Sequence, residues 1–121
     1  MFLADLLQEY ACLPEYSGVP IADVHQVSLF GDRPINIAGT RGDIPELELL
    51  LMAGADINSR GEHGYTPLHN ATEQGALEAA MWLISKGADI FVRNDWDWTP
   101  LDLAVGLGET QLVEVLGGLK S

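Results

Sequence analysis

Positive charge is scarce in this chain. Its 121 residues carry 18 aspartates and glutamates against six lysines and arginines, a formal net charge of -12. Binding nucleic acid takes clustered Lys and Arg against phosphates, and Arg33, Arg41, Arg60, Lys86, Arg93 and Lys120 are scattered. An anionic membrane surface is disfavoured for the same reason. Cysteine is nearly absent: Cys12 stands alone, which rules out an internal disulfide and fits a reducing cytoplasm. No apolar run approaches the ~18 residues that cross a bilayer. The opening stretch Met1 to Tyr10 carries Asp5 and Glu9 where a signal peptide would carry basic residues. The expectation is a cytoplasmic protein with neither a nucleic acid nor a membrane as partner.

The patterns that carry chemistry are missing too. There is no His-Glu-x-x-His, no paired cysteine and no pair of histidines four apart, so a zinc site is not expected. Asp95-Trp96-Asp97-Trp98 is the most unusual local sequence. Read as a calcium loop, it would need glycine at the sixth place and glutamate at the twelfth, where Pro100 and Gly106 stand. Read as a glycosidase pair, Asp95 and Asp97 would sit on one exposed ribbon with no cleft to raise a pKa. Gly106-Leu107-Gly108 falls at a helix end and lacks the later glycine and preceding strand of a phosphate loop. Cys12, beside Leu13 on the apolar side of a helix, is expected to be buried rather than nucleophilic. No enzyme activity, cofactor or metal is expected.

What the chain does have is a period. Thr66-Pro67-Leu68 recurs as Thr99-Pro100-Leu101, 33 residues later, and the same step back from Pro67 reaches Pro34. The interval also links Gly42, Gly75 and Gly108, and Gly54-Ala55-Asp56 with Gly87-Ala88-Asp89. A fixed period of this size means one supersecondary unit copied along the chain, each too small to fold alone. Thr66 is placed to cap a helix with Pro67 in its first turn, where a missing N–H has no helical partner to lose. That helix runs to about Gln74 and stops at Gly75; a second covers about 77–86 and ends at Gly87. The first unit repeats this plan from Pro34, with Asp43 capping its second helix, and the third runs from Pro100 to Leu116 and ends at Gly117-Gly118. Residues 2–13 read as an amphipathic helix, and 19–30 as irregular, with Pro20 against helix. The fold class is therefore an all-α solenoid of about three helix-turn-helix units. Residues 1–30 form an N-terminal helical cap; the units span about 31–60, 61–93 and 94–121, in one continuous domain.

The second unit, Gly64-Tyr65-Thr66-Pro67-Leu68-His69-Asn70-Ala71 through Gly87-Ala88-Asp89-Ile90, resembles an ankyrin repeat, and the resemblance covers about residues 28–117. The first unit departs from the pattern with Arg33 for threonine and Asn36 for histidine. The third has Asp102 for the histidine and Asp97 for a turn glycine. These departures are expected to weaken local hydrogen bonding while leaving the period intact. The resemblance implies antiparallel helix pairs with protruding turns, a curved stack with a concave groove, and protein binding without a cofactor. It also gives His69 a structural role, tying turn to helix. Small stand-alone ankyrin proteins of this kind resemble those of bacteria, some of which are immunity proteins to secreted toxins.

In ankyrin stacks the turn tips and the inner face of the first helix do the binding. By register these are Leu29, Phe30, Asp32, Thr40 and Arg41; Glu62, His63, Tyr65, Glu73 and Gln74; and Asp95, Trp96, Trp98 and Leu107. Tyr65 and Trp98 hold equivalent places. Aromatic residues flanked by acids make interface anchors with a charged rim. Trp82, in mid-helix, reads as packing, and His25 takes no assignment. The acidity has two open readings: solubility alone, or steering of a basic partner. The leading expectation is a non-catalytic binder of a folded, basic-surfaced protein, an inhibitor or immunity protein against a toxin or nuclease, monomeric when free. The alternative is a generic scaffold whose charge serves only solubility.

Overall fold

Pro34, Pro67 and Pro100 each open a helix: α2 (Pro34–Arg41), α4 (Pro67–Glu73) and α6 (Pro100–Leu107). Each is followed by an antiparallel partner: α3 (Ile44–Met52), α5 (Leu77–Ser85) and α7 (Thr110–Gly118). One more helix, α1 (Leu3–Ala11), precedes them, with a 3-10 turn at Pro14–Tyr16. The computed structural model describes residues 2–19, 21 and 23–119; the expected break at Pro20 lies outside them. Among the described residues the fold is all-α. The three pairs α2–α3, α4–α5 and α6–α7 stack side by side. The first helices form one row, α2 on α4 on α6, while α7 packs on α5 and α1 on α3 in the second row.

Local backbone chemistry sets this plan. Thr66 Oγ1 accepts from the His69 amide at 3.3 Å, and Thr99 Oγ1 from that of Asp102 at 3.2 Å. Each satisfies a donor that the helix start leaves free. Asp43 caps α3 by accepting from Glu46 N at 3.0 Å. At the α2–α3, α4–α5 and α6–α7 corners Gly42, Gly75 and Gly108 have φ of 64°, 67° and 71°, the left-handed conformation that glycine adopts without a Cβ penalty. The apolar sides meet in one core that includes Leu47, Leu50, Leu68, Leu83, Leu112 and Leu116. Each such burial contributes roughly 2 kcal/mol. The last helix finishes at Gly117-Gly118, where the sequence placed the end of the third unit, with both glycines still inside it and Leu112 and Leu116 buried beneath.

The departures from the repeat pattern act unequally: Arg33 leaves α2 without the side-chain cap that Thr66 and Thr99 supply, whereas Asn36 and Asp102 keep the motif's bond. Asn36 accepts from Arg33 N at 3.0 Å, and its amide donates to the Ser59 carbonyl at 2.8 Å and the Tyr65 carbonyl at 3.1 Å. Asp102 accepts from Thr99 N at 3.0 Å. An amide or a carboxylate oxygen can close the helix start as the imidazole does, so what the motif needs there is an acceptor.

The N-terminal helix is riveted rather than merely laid on. Tyr10, fully buried on α1, donates its hydroxyl to Glu46 of α3. Arg41 Nε lies 3.1 Å from Glu46 and Nη2 lies 3.2 Å from Glu9, with the guanidinium 5.3 Å from the centre of the Tyr10 ring. Burial holds the Glu46 carboxyl above the usual carboxylate range, and burial followed by the Glu46 contact pushes the Tyr10 phenol up. A buried carboxylate is tolerated when its lone pairs are matched by donors. Cys12, expected to be buried, is exposed. It caps α1 beyond the turn that buries Leu6, Leu7 and Tyr10.

Candidate functional site

Three hairpin tips project from the stack at the same interval. Each closes with a backbone bond from its first residue to its fifth: Ser28 N to Asp32 O at 2.7 Å, Gly61 N to Tyr65 O at 2.8 Å, and Asn94 N to Trp98 O at 2.9 Å. Side chains brace the outer two. Ser28 Oγ accepts from Phe30 N and Asp32 N, both at 3.1 Å, and Asn94 Oδ1 accepts from Trp96 N at 2.9 Å and Trp98 N at 3.0 Å. Neighbouring tips are tied together as well. Glu62 N donates to Asp32 Oδ1 at 2.9 Å, and Asp95 N to the His63 carbonyl at 2.9 Å. The tips therefore form one braced ribbon, which presents side chains with little ordering left to do.

Two surfaces meet on this ribbon. One is a shelf of rings: Trp96 lies 5.0 Å from His63, 6.5 Å from Tyr65 and 6.0 Å from Trp98, centre to centre. The other is a groove of about 310 Å³ between the tips, the starts and ends of α2 and α4, and the 3-10 turn after α1. Glu15, Asp32, Glu62 and Glu73 line it with one cation, Arg41, and together with His63 and Tyr65, which also belong to the shelf. The Glu15 carboxyl sits above its ordinary range because it is partly buried and faces Asp32 and Glu62, against the opposing pull of the Ser28 hydroxyl at 2.8 Å.

The predicted residues fall into two groups. Phe30, His63, Glu73, Gln74, Asp95, Trp96 and Trp98 are exposed, Trp96 at 52% and Trp98 at 46%. Glu62 is half-buried on the groove wall, with its carboxylate 3.4 Å from His63 Nε2. The others make contacts within the scaffold. Tyr65, expected as a partner-facing aromatic, is only 7% exposed. Its ring stacks on His69 at 5.4 Å and its hydroxyl donates to Glu73 at 2.9 Å; burial, then Glu73, pushes the phenol up to about 12. Arg41, also expected at the contact surface, stays exposed and lines the groove, but its guanidinium is engaged by Glu9 and Glu46. Asp32 braces the neighbouring tip through Glu62 N. His69 is fully buried, with Nε2 2.9 Å from the Trp98 carbonyl and Nδ1 3.2 Å from Thr66 N. Trp82 packs partly against the core, with Lys86 Nζ 5.5 Å from its ring centre.

The ankyrin-repeat family model, three repeats long, matches residues 5–94 and again 35–119. The chain belongs to the ankyrin-repeat family. Comparison with curated proteins gives no match. Ankyrin repeats are protein–protein interaction modules, and their stacked geometry explains why: each unit contacts its neighbours and leaves its tips and inner face as surface. The first match starts at residue 5, so the family resemblance reaches into the segment read as a cap.

Glu15 is the charged groove residue that sequence reasoning missed. It lies in the 3-10 turn outside the 33-residue register, and enters the groove because Leu29 N bonds its carbonyl at 2.7 Å and Ser28 its carboxylate. No periodic signal could have found it. Among the described residues, no group of three or more His, Cys, Asp or Glu side chains is arranged to hold a metal ion, and no helix is long and apolar enough to cross a membrane.

Proposed function

We propose that this ankyrin protein is a non-catalytic binder of a folded protein with a basic surface, acting as an inhibitor or immunity protein that occludes a cationic groove such as that of a toxin or nuclease. The observation that carries the reading is the braced ribbon of tips, where exposed Trp96 and Trp98 stand beside a groove lined by four carboxylates. Exposed indoles supply area that desolvates on contact, and the carboxylates steer and orient a cationic partner. The net charge of -12 extends that attraction over the whole encounter.

The test is co-purification from the native source, followed by calorimetry and association rates at two salt concentrations. A basic partner whose association slows at high salt, and whose affinity falls at least about tenfold with Trp96→Ala and Trp98→Ala combined, supports the reading. A neutral or acidic partner with salt-insensitive association overturns it in favour of a scaffold whose acidity serves solubility. So does full tolerance of the double substitution.

A further inference from the structure

We propose that the ring shelf and the adjoining groove together form a receptor for one arginine side chain of the partner, with the guanidinium over the Trp96–His63 rings and its N–H groups turned to the Glu62 and Glu73 carboxylates. The inference rests on the reading that this face binds a basic protein, and it specifies the chemistry of the anchor.

The shelf comes first. Trp96 is half-exposed and its ring neighbours both His63 and Trp98, so the cluster offers a group of adjoining rings rather than an isolated side chain. Such a surface beside carboxylates suits a cation that is planar and weakly hydrated. A guanidinium stacks on an indole and donates two parallel N–H bonds to a carboxylate; an ammonium is compact, strongly hydrated and does neither as well. The continuity of the two surfaces is built in, because His63 and Tyr65 belong to both.

Charge complementarity then selects the occupant. The chain's ion-paired arginines are held by carboxylates that do not line the groove, although Arg41 itself does. Arg41 lies on Glu9 and Glu46, Arg60 Nη2 is 3.2 Å from Asp95, and Arg93 Nη1 is 3.7 Å from Asp97. The hydrogen-bond donors to three of the groove carboxylates are neutral: Ser28 Oγ for Glu15, the Glu62 amide for Asp32, and the Tyr65 hydroxyl for Glu73. Glu62 lies 3.4 Å from the His63 imidazole. The third tip has its acids in ion pairs and its rings exposed; among the described residues the groove sets four carboxylates against one guanidinium, that of Arg41, which Glu9 and Glu46 already engage. An arginine bridging the two satisfies both, its methylenes on the rings and its head toward the groove.

The probes are N-acetyl-argininamide and N-acetyl-lysinamide, titrated separately into the full chain and followed by amide and indole N–H resonances. The expected result is saturable shifts at residues 62–65, Glu73 and the Trp96 indole, with the arginine compound binding at least about threefold more tightly than the lysine compound. Trp96→Ala and Glu62→Gln should each weaken the arginine compound by about threefold or more and erase most of the preference. Unchanged thermal melts of these variants exclude unfolding as the cause. Equal binding of the two probes, shifts spread evenly over the acidic surface, or no shift at either site overturns the arginine receptor. In those cases the broader reading still stands if a basic partner protein depends on Trp96 and Trp98. Conversely, selective arginine binding with no basic partner protein sinks that reading and leaves the receptor.

Discussion

Tyr65 and Trp98 hold the same place one 33-residue period apart, and their backbone carbonyls do the same job. Asn36 donates to the first and His69 to the second, each from the preceding unit's first helix. Their side chains diverge. Tyr65 is sealed between the His69 ring and its own bond to Glu73, with Trp96 of the next tip at its edge. Trp98, on the last tip, keeps nearly half its surface in solvent. The difference teaches that in a stack, register decides what the backbone does, while position along the stack decides whether a side chain is core or contact surface.

The widest gap between the two should appear in stability. Tyr65→Ala removes a buried ring and is expected to cost about 3 kcal/mol, as buried aromatic truncations do. Trp98→Ala should cost under about 1 kcal/mol, because the surrounding atoms gain little new exposure. Urea unfolding of both variants reads the difference directly. Equal costs would mean that the last tip is as much core as the middle one, and the division between scaffold and contact surface would fail.

A second, smaller gap concerns the turn one residue earlier. Gly64 and Asp97 are also one period apart, with φ of 72° and 67°. A Cβ on Gly64 would lie 2.5 Å from both Arg60 Nη2 and Asp95 Oδ1, and 2.9 Å from Asp95 N. The side-chain atoms can move, but the backbone amide is held by its bond to the His63 carbonyl. Gly64→Ala is therefore expected to cost about 2 kcal/mol, combining left-handed strain with the displaced tip. Asp97→Gly relieves the same strain but loosens the unfolded chain, so its net effect should stay within about 0.5 kcal/mol. Thermal melts distinguish the two; similar losses at both positions would show that the tips are equally crowded.

These contrasts also mark what could be read from the sequence. The helix starts at Pro34, Pro67 and Pro100, the caps at Thr66, Thr99 and Asp43, and the corners at Gly42, Gly75 and Gly108 were legible, because each is enforced by the backbone chemistry of a few adjacent residues. The acidic, aromatic character of the tips was legible from register. The burial of Tyr65, the engagement of Arg41 and the entry of Glu15 into the groove were not. Each depends on a contact with a residue far along the chain: Trp96 for Tyr65, Glu9 for Arg41, Ser28 for Glu15. Two of these contacts involve the N-terminal segment, which does not share the period. Exposure of Cys12 follows from the same source, since α1 docks by Leu6, Leu7 and Tyr10 and the helix ends before the cysteine can turn inward.

The smallest expected effect separates the two seams by pH. Asn36 and His69 bridge successive units from equivalent places, one with an amide and one with an imidazole. Nδ1 of His69 faces the Thr66 N–H, so the ring proton sits on Nε2 and points at the Trp98 carbonyl. Protonating Nδ1 would set two N–H groups against each other in a buried site. Burial accordingly holds His69 below its ordinary value of 6.5, with Arg60 pushing the same way and the Trp98 carbonyl pulling back. The unfolded chain then takes up this proton before the folded one. The His69 contribution to stability is fully present above pH 6.5 and shrinks as pH falls from there toward the lower folded value. Glu15 and Glu46, held above their ordinary 4.5 by burial, act in the opposite sense: the folded protein protonates them first, so mild acid favours the fold through them. A substitution that leaves both carboxylates in place isolates the histidine. In His69→Asn, which copies the amide of the first seam, the stability difference from the unsubstituted protein should hold level from pH 7.5 to about 6.5 and narrow from there to pH 5.5 in urea titrations. Parallel profiles over that range would show that the second seam is no more pH-sensitive than the first.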